Sequence, residues 1–255
     1  MIDGIEELGR ATGEHGEVLL RRRGGVLELV VDGVFAMDDV DTSTEQALAT
    51  EGLARCSGDR LRVLVGGLGL GWTAATALAD PRVASVEVVE LQPALVRWAR
   101  AGLLPALPVG DQRLTLTTAD VAVHLAGHPD RYDAVLLDVD NGPAFLVHQT
   151  NAGLYEPAGL AAAVAALRPG GVLAIWSSDP VPELVDRLAA LPGTAGAEHL
   201  VLPVERDGHR FEYAVALARR AGGNRAAWPV SPAAAGGTPS RRAAGPERRP
   251  PAGRS

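Results

Sequence analysis

From about residue 58 onward, short apolar runs alternate with stretches of helical period. Residues 62–66 (RVLVG), 85–90 (SVEVVE), 113–117, 132–138 (YDAVLLD) and 172–177 read as strands. Helices are predicted over 72–79, ended by Asp80 and Pro81, over 93–101, near 121–126, over 159–167, stopped at Pro169-Gly170-Gly171, and over 182–191. Residues 199–204 and 211–217 flank Asp207-Gly208, a strong hairpin signal. Repeated strand–helix units with near-continuous apolar strands require both faces of a parallel sheet to be covered. The expected fold is therefore α/β. It is a Rossmann-like, doubly wound, mostly parallel sheet with a C-terminal antiparallel hairpin.

Ahead of this block, 16–22 and 26–31 are strand-like and turn near 23–25, and 42–56 reads as a helix. Behind it, the chain becomes rich in Ala, Gly, Pro and Arg with no hydrophobic period. Three parts are expected: a short β-hairpin and helix lead-in (1–57), a central α/β domain (58–218) and a disordered tail (219–255).

Charge sharpens this division. The 255-residue chain carries −7 overall, yet the last 37 residues hold eight arginines and one glutamate, so residues 1–218 are far more acidic than the total suggests. Such a surface does not suit nucleic acid as a partner, but it is compatible with a cationic substrate. The single cysteine, Cys56, excludes an internal disulfide and any cysteine-built zinc site, and no metal is expected. No apolar run is long enough to span a membrane. With no signal-like N-terminus, a cytoplasmic location is expected.

The candidate chemistry starts at residues 63–71, VLVGGLGLG, which end a strand and open a helix. Gly67, Gly69 and Gly71 permit a tight turn and let a ligand approach the backbone. The next strand ends in Glu90, nineteen residues after Gly71, where a doubly wound fold places a carboxylate for ribose hydroxyls. Asp120 follows the third strand and Asp138 ends the fourth. One strand-end carboxylate is often only a helix cap. Three of them beside a glycine loop point to a nucleotide cleft.

These residues carry a resemblance. The run from 63 to 217 resembles the class I S-adenosylmethionine-dependent methyltransferase fold, and more narrowly the spermidine synthase (polyamine aminopropyltransferase) family. It does so through 63–71, 86–93 (VEVVELQP), Ala119-Asp120, 132–143 (YDAVLLDVDNGP) and 167–173 (LRPGGVL). Val31-Asp-Gly-Val34 and Glu45 or Glu51 match the family's lead-in loosely. The resemblance implies that Gly67, Gly69 and Gly71 shape the loop under the methionine-like part of the donor. It further implies that Glu90 holds the ribose, Asp120 the adenine amino group, and that Asp138 sits beside the attacking amine with Asp140 as helper. The co-substrate implied is S-adenosylmethionine or its decarboxylated form. The implied partner is a small-molecule amine or other nucleophilic acceptor, and a homodimer is the assembly it suggests. The sequence departs from the family pattern at Leu70, where the family has Asp, at Asn141, three positions after Asp138, and at Ala49 and Thr50 before Glu51. Aminopropyl transfer, methyl transfer and nucleotide binding without catalysis all stay open on this sequence. A nicotinamide-dependent oxidoreductase is disfavoured by the G-x-G-x-G spacing. His148, Trp176 and Asp179 are further candidates for the acceptor side.

Overall fold

The computed structural model describes residues 4–139, 152–206 and 208–222. The chain begins with a four-stranded antiparallel meander, β1 (Ile5–Gly13), β2 (Gly16–Arg23), β3 (Val26–Val31) and β4 (Val34–Asp38). Helix α1 (Ser43–Ala54) leads into the second sheet. Then follow β5 (Leu61–Gly66), α2 (Trp72–Ala79), β6 (Val83–Glu90), α3 (Pro93–Arg100), β7 (Leu114–Thr118), α4 (Val121–Ala126) and β8 (Tyr132–Leu137). The chain continues through α5 (Ala152–Tyr155), α6 (Pro157–Ala166), β9 (Leu167–Ser177), α7 (Pro182–Ala190), β10 (Thr194–Arg206) and β11 (His209–Arg220).

The large sheet has seven strands in the order β10-β11-β9-β8-β5-β6-β7. β9, β8, β5, β6 and β7 pair in parallel, and β11 and β10 add an antiparallel edge. This is the expected doubly wound fold with its closing hairpin. Alternation within the buried strands builds the two faces. Val63, Val65, Val86, Val88, Ala134 and Leu136 join one core, and Leu64, Val89, Val135 and Leu137 join the other. The first core also takes in α1, α2, α3 and the inner face of the meander through Leu20, Leu27, Leu29 and Val31. The second lies under α4, α6 and α7, with Leu125, Leu160 and Leu184. Each such side chain removed from water contributes about 1.5–3 kcal/mol.

The N-terminal region is larger than the predicted strand pair. β1 escapes a reading by pattern because IEELGRATG is largely exposed and does not alternate. β4 is short, and its paired register with β3 slips between Leu29 and Val30. In the C-terminal part, the predicted tail begins within β11, which runs to Arg220; residues from 223 on lie outside those described.

Strand order sets the site. From β5 the chain winds outward through β6 and β7, then returns to place β8 on the other side of β5. The carboxyl ends of β5 and β8 therefore diverge at a topological switch point, where open α/β sheets bind ligands.

Candidate active site

One cavity at that switch point is lined by Gly67, Gly69, Glu90, Asp120 and Asp138, five of the seven residues expected from sequence. Gly71 stands behind it. It precedes α2 with φ of 92°, and a Cβ there would press on Leu107, so it shapes the loop rather than the cavity wall. Asp140 lies outside the described residues, as does His148.

The loop after β5 is fixed from both neighbouring strands. Gly67 N donates to the Val89 carbonyl at 2.9 Å, and Asp138 N donates to the Gly66 carbonyl at 2.8 Å. A Cβ on Gly67, at φ of 87°, would collide with the Asp138 carbonyl oxygen, so only glycine fits where β5 and β8 part. Leu70 points away from this chemistry: it is 1% exposed and belongs to the first core. The position that carries Asp in the resembling family is an apolar packing residue here.

Glu90 is buried and accepts from Leu68 N at 2.8 Å and Gln92 N at 2.7 Å, one bond on each carboxylate oxygen. Burial pushes its carboxyl above the usual range, while backbone donors at Gln92, Leu68 and Leu91 pull it back. A carboxylate offers about four acceptor directions, so Glu90 can still accept from a ligand hydroxyl beside its backbone donors. Gln92, also on the wall, donates its side-chain amide to the His15 carbonyl in the β1–β2 turn, tying the meander to the Glu90 end of the cavity. Asp120 caps α4, accepting from Ala122 N at 2.7 Å and Val123 N at 3.3 Å through Oδ1. It is thus both a helix cap and a wall residue.

Asp138 follows β8 at the opposite side. Its Oδ2 accepts from Thr73 Oγ1 at 2.6 Å. Burial first, and then the nearby Glu45 charge, push its carboxyl up to about 7. Glu45 comes from α1, is buried, and has its own carboxyl raised, chiefly by desolvation. Tyr155, from α5, donates its hydroxyl to the Val139 carbonyl at 2.9 Å and so anchors the backbone just beyond Asp138.

A second compartment adjoins the first, sharing Ala36, Met37, Glu45 and Trp176 with it. Asp38, Asp41 and Asp179 lie on its walls, with Phe35, Ser178, Val204 and Tyr213. Trp176 stacks on Tyr213 at 5.6 Å between ring centroids. Trp176 and Asp179 were legible as candidates from their strand end. Glu45 was visible only as one of two loose matches, Gln92 only as part of the resembling stretch 86–93, and Thr73, Met37 and Asp38 gave no sequence signal. No described residue in either wall is Arg, Lys or His. Among the described residues, no group of three or more His, Cys, Asp or Glu is placed to hold a metal ion. No helix among them is long and apolar enough to cross a membrane.

Comparison with known proteins agrees with this fold. No family model matches the chain. The polyamine aminopropyltransferase of Mycobacterium tuberculosis is 29% identical over 171 residues, covering 64% of this chain and 31% of that protein. Putrescine N-methyltransferase 2 of Nicotiana tabacum is 32% identical over 117 residues, covering 44% of this chain and 31% of that protein. The chain spans about a third of the length of these curated relatives. Among solved structures, spermidine synthase in complex with the transition-state analogue AdoDATO superposes with a TM-score of 0.70 at 16% identity, over 84% of this chain and 73% of that one. Spermidine synthase from Thermotoga maritima gives 0.67 at 15% identity, over 84% and 72%. By fold the chain is spermidine synthase-like, within the class I methyltransferase fold, and in sequence it is similar to polyamine aminopropyltransferases.

Proposed function

We propose that this chain is a transferase that moves an aminopropyl group from a decarboxylated S-adenosylmethionine-type donor to an amine. The observation that carries this reading is the charge of the cavity. Glu90 and Asp120 flank the nucleotide end, Asp138 and Glu45 the reacting end, and no described wall residue is a cation. The segment that follows, residues 140–151, contains no Arg or Lys. The aminopropyl tail of the decarboxylated donor ends in an ammonium, which Asp138 and Glu45 attract. The tail of S-adenosylmethionine adds a carboxylate, which those same groups repel.

In this reading Glu90 accepts the ribose hydroxyls, Asp120 faces the adenine edge, and Gly67 and Gly69 let the donor lie against the backbone. The acceptor enters through the second compartment, where Asp38, Asp41 and Asp179 favour an extended di- or polycation. A free amine is scarce at neutral pH, since its reference pKa is about 10.4. Asp138, raised to about 7, takes a proton from the acceptor ammonium, and the lone pair so freed attacks the carbon beside the sulfonium. The new C–N bond forms as the C–S bond breaks, and its electron pair returns to sulfur, leaving a neutral thioether. Most of the acceleration comes from alignment of nitrogen, carbon and sulfur. Asp140, which follows Asp138 by two positions, is assigned as a helper at the acceptor nitrogen, and a homodimer is part of the same reading.

A second reading, methyl transfer from S-adenosylmethionine to an amine, is supported by Leu70 and by the similarity to putrescine N-methyltransferase. Mass analysis of products decides between them. Incubated with both donors and 1,4-diaminobutane, the protein should give the diamine lengthened by one aminopropyl unit, together with methylthioadenosine. A methylated diamine with S-adenosylhomocysteine would replace this reading with the second, and no product from either would refute both.

A further inference from the structure

Thr73 is 3% exposed and is the second residue of α2, a place where a threonine hydroxyl commonly serves its own helix. Here it does not. α2 starts from Gly71 with no side-chain cap, and Thr73 Oγ1 instead donates to Asp138 Oδ2 at 2.6 Å, across 65 positions of sequence. The Glu45 carbonyl oxygen lies farther off, at 3.4 Å. A hydroxyl has one proton, so the short bond to the carboxylate takes it. Its length is that of a charge-assisted bond, which runs about 2.5–2.7 Å for O–H to carboxylate.

Among the described residues, the charged groups that share the cavity with Asp138 are carboxylates, and burial adds to their effect in favouring the protonated form. Glu45 on α1 is a like charge, and Glu90 at the end of β6 and Asp120 after β7 line the same cavity. Asp38, the last residue of β4, and Asp41, beyond it, add two more carboxylates next door. No cationic side chain among the described residues lines the wall. Thr73 is the one side chain that donates to Asp138 among the described residues.

We propose that Thr73 is a positioning residue, whose hydroxyl fixes the orientation of the Asp138 carboxylate and stabilises its anionic form. Without it, the carboxyl would hold its proton to higher pH and could not accept one from the acceptor amine in the neutral range. The proposal deepens the reading of Asp138 as proton acceptor, but the hydrogen bond's effect on the carboxyl can be measured on the unliganded protein.

The test is a carbon-13 titration of aspartate side-chain carboxyls in the wild type, Thr73→Val and Thr73→Ser, with Asp138→Asn assigning the resonance. Thr73→Val should raise the Asp138 midpoint by about 0.5–1 pH unit, a three- to tenfold gain in proton affinity, and Thr73→Ser should restore it. The acid limb of the kcat profile should move by the same amount while the KM for donor stays constant. An unchanged midpoint in Thr73→Val, or one that Thr73→Ser fails to restore, would overturn the assignment. If Thr73→Val does not fold, Thr73→Ala carries the same expectation. A shifted midpoint in a protein that transfers no aminopropyl group would sustain Thr73's role and refute the assigned reaction.

Discussion

Gly69, in the loop after β5, and Met37, on β4, approach so closely that a Cβ on Gly69 would lie 2.7 Å from the Met37 sulfur. The small N-terminal sheet thus forms one wall of the cavity, and the glycine is needed twice, for this approach and for its φ of 48°.

Gly69→Ala should therefore weaken binding of methylthioadenosine by about tenfold or more, because strain and the displaced Met37 together cost about 1.4 kcal/mol or above. Calorimetry reads the affinity, and far-ultraviolet circular dichroism should show the secondary structure retained. Wild-type affinity would mean that the loop does not lie under the ligand.

Glu90→Ala removes the acceptor of Leu68 N and Gln92 N. Leaving a buried donor unpaired costs about 1–3 kcal/mol, so denaturant unfolding should detect a loss of stability. Nucleoside affinity should fall by at least tenfold beyond any unfolded fraction. Unchanged affinity would contradict the ribose assignment.

Leu70→Asp, which writes the resembling family's residue into this loop, should fail to supply a donor contact. Leu70 is 1% exposed in an apolar core, and an unpaired charge there should lower stability by about 3 kcal/mol or more, measured by urea unfolding. A stable variant with tighter binding of decarboxylated donor would show that the loop can turn this side chain into the cavity.

Asp138→Asn should abolish turnover while leaving donor affinity within a few fold. It should also change stability with a defined sign. The folded-state carboxyl titrates near 7 and an unfolded one near about 3.9. Between those values the folded protein binds more protons, so Asp138 costs stability progressively as pH rises through that window. The asparagine variant should match the wild type below about pH 4 and melt at higher temperature than it at pH 8. A melting temperature below wild type at pH 8 would contradict the burial assigned to Asp138.

The parts of this account that were legible in sequence share a cause. A parallel sheet buried on both faces forces apolar residues at 63–65, 86, 88, 89 and 134–137, and backbone collision where β5 and β8 part forces glycine at 67. Carboxylates at strand ends are equally local signals, which is how Glu90, Asp120 and Asp138 were found. What was missed depends on approach between distant segments. β1 and β4 lack alternation because much of each faces solvent. Met37 acquires its role only when β4 meets the loop after β5, and Thr73 only when α2 meets the end of β8. Glu45 stayed one of two loose matches because its carboxyl reaches the site through the packing of α1, not through any spacing.

The most direct measurement is calorimetric titration of the protein with decarboxylated S-adenosylmethionine, S-adenosylmethionine and methylthioadenosine. The cavity's acidic reacting end predicts that the decarboxylated donor and methylthioadenosine bind, and that the decarboxylated donor outcompetes S-adenosylmethionine by at least about tenfold, or 1.4 kcal/mol. Tighter binding of S-adenosylmethionine, or no binding of any of the three, would contradict it.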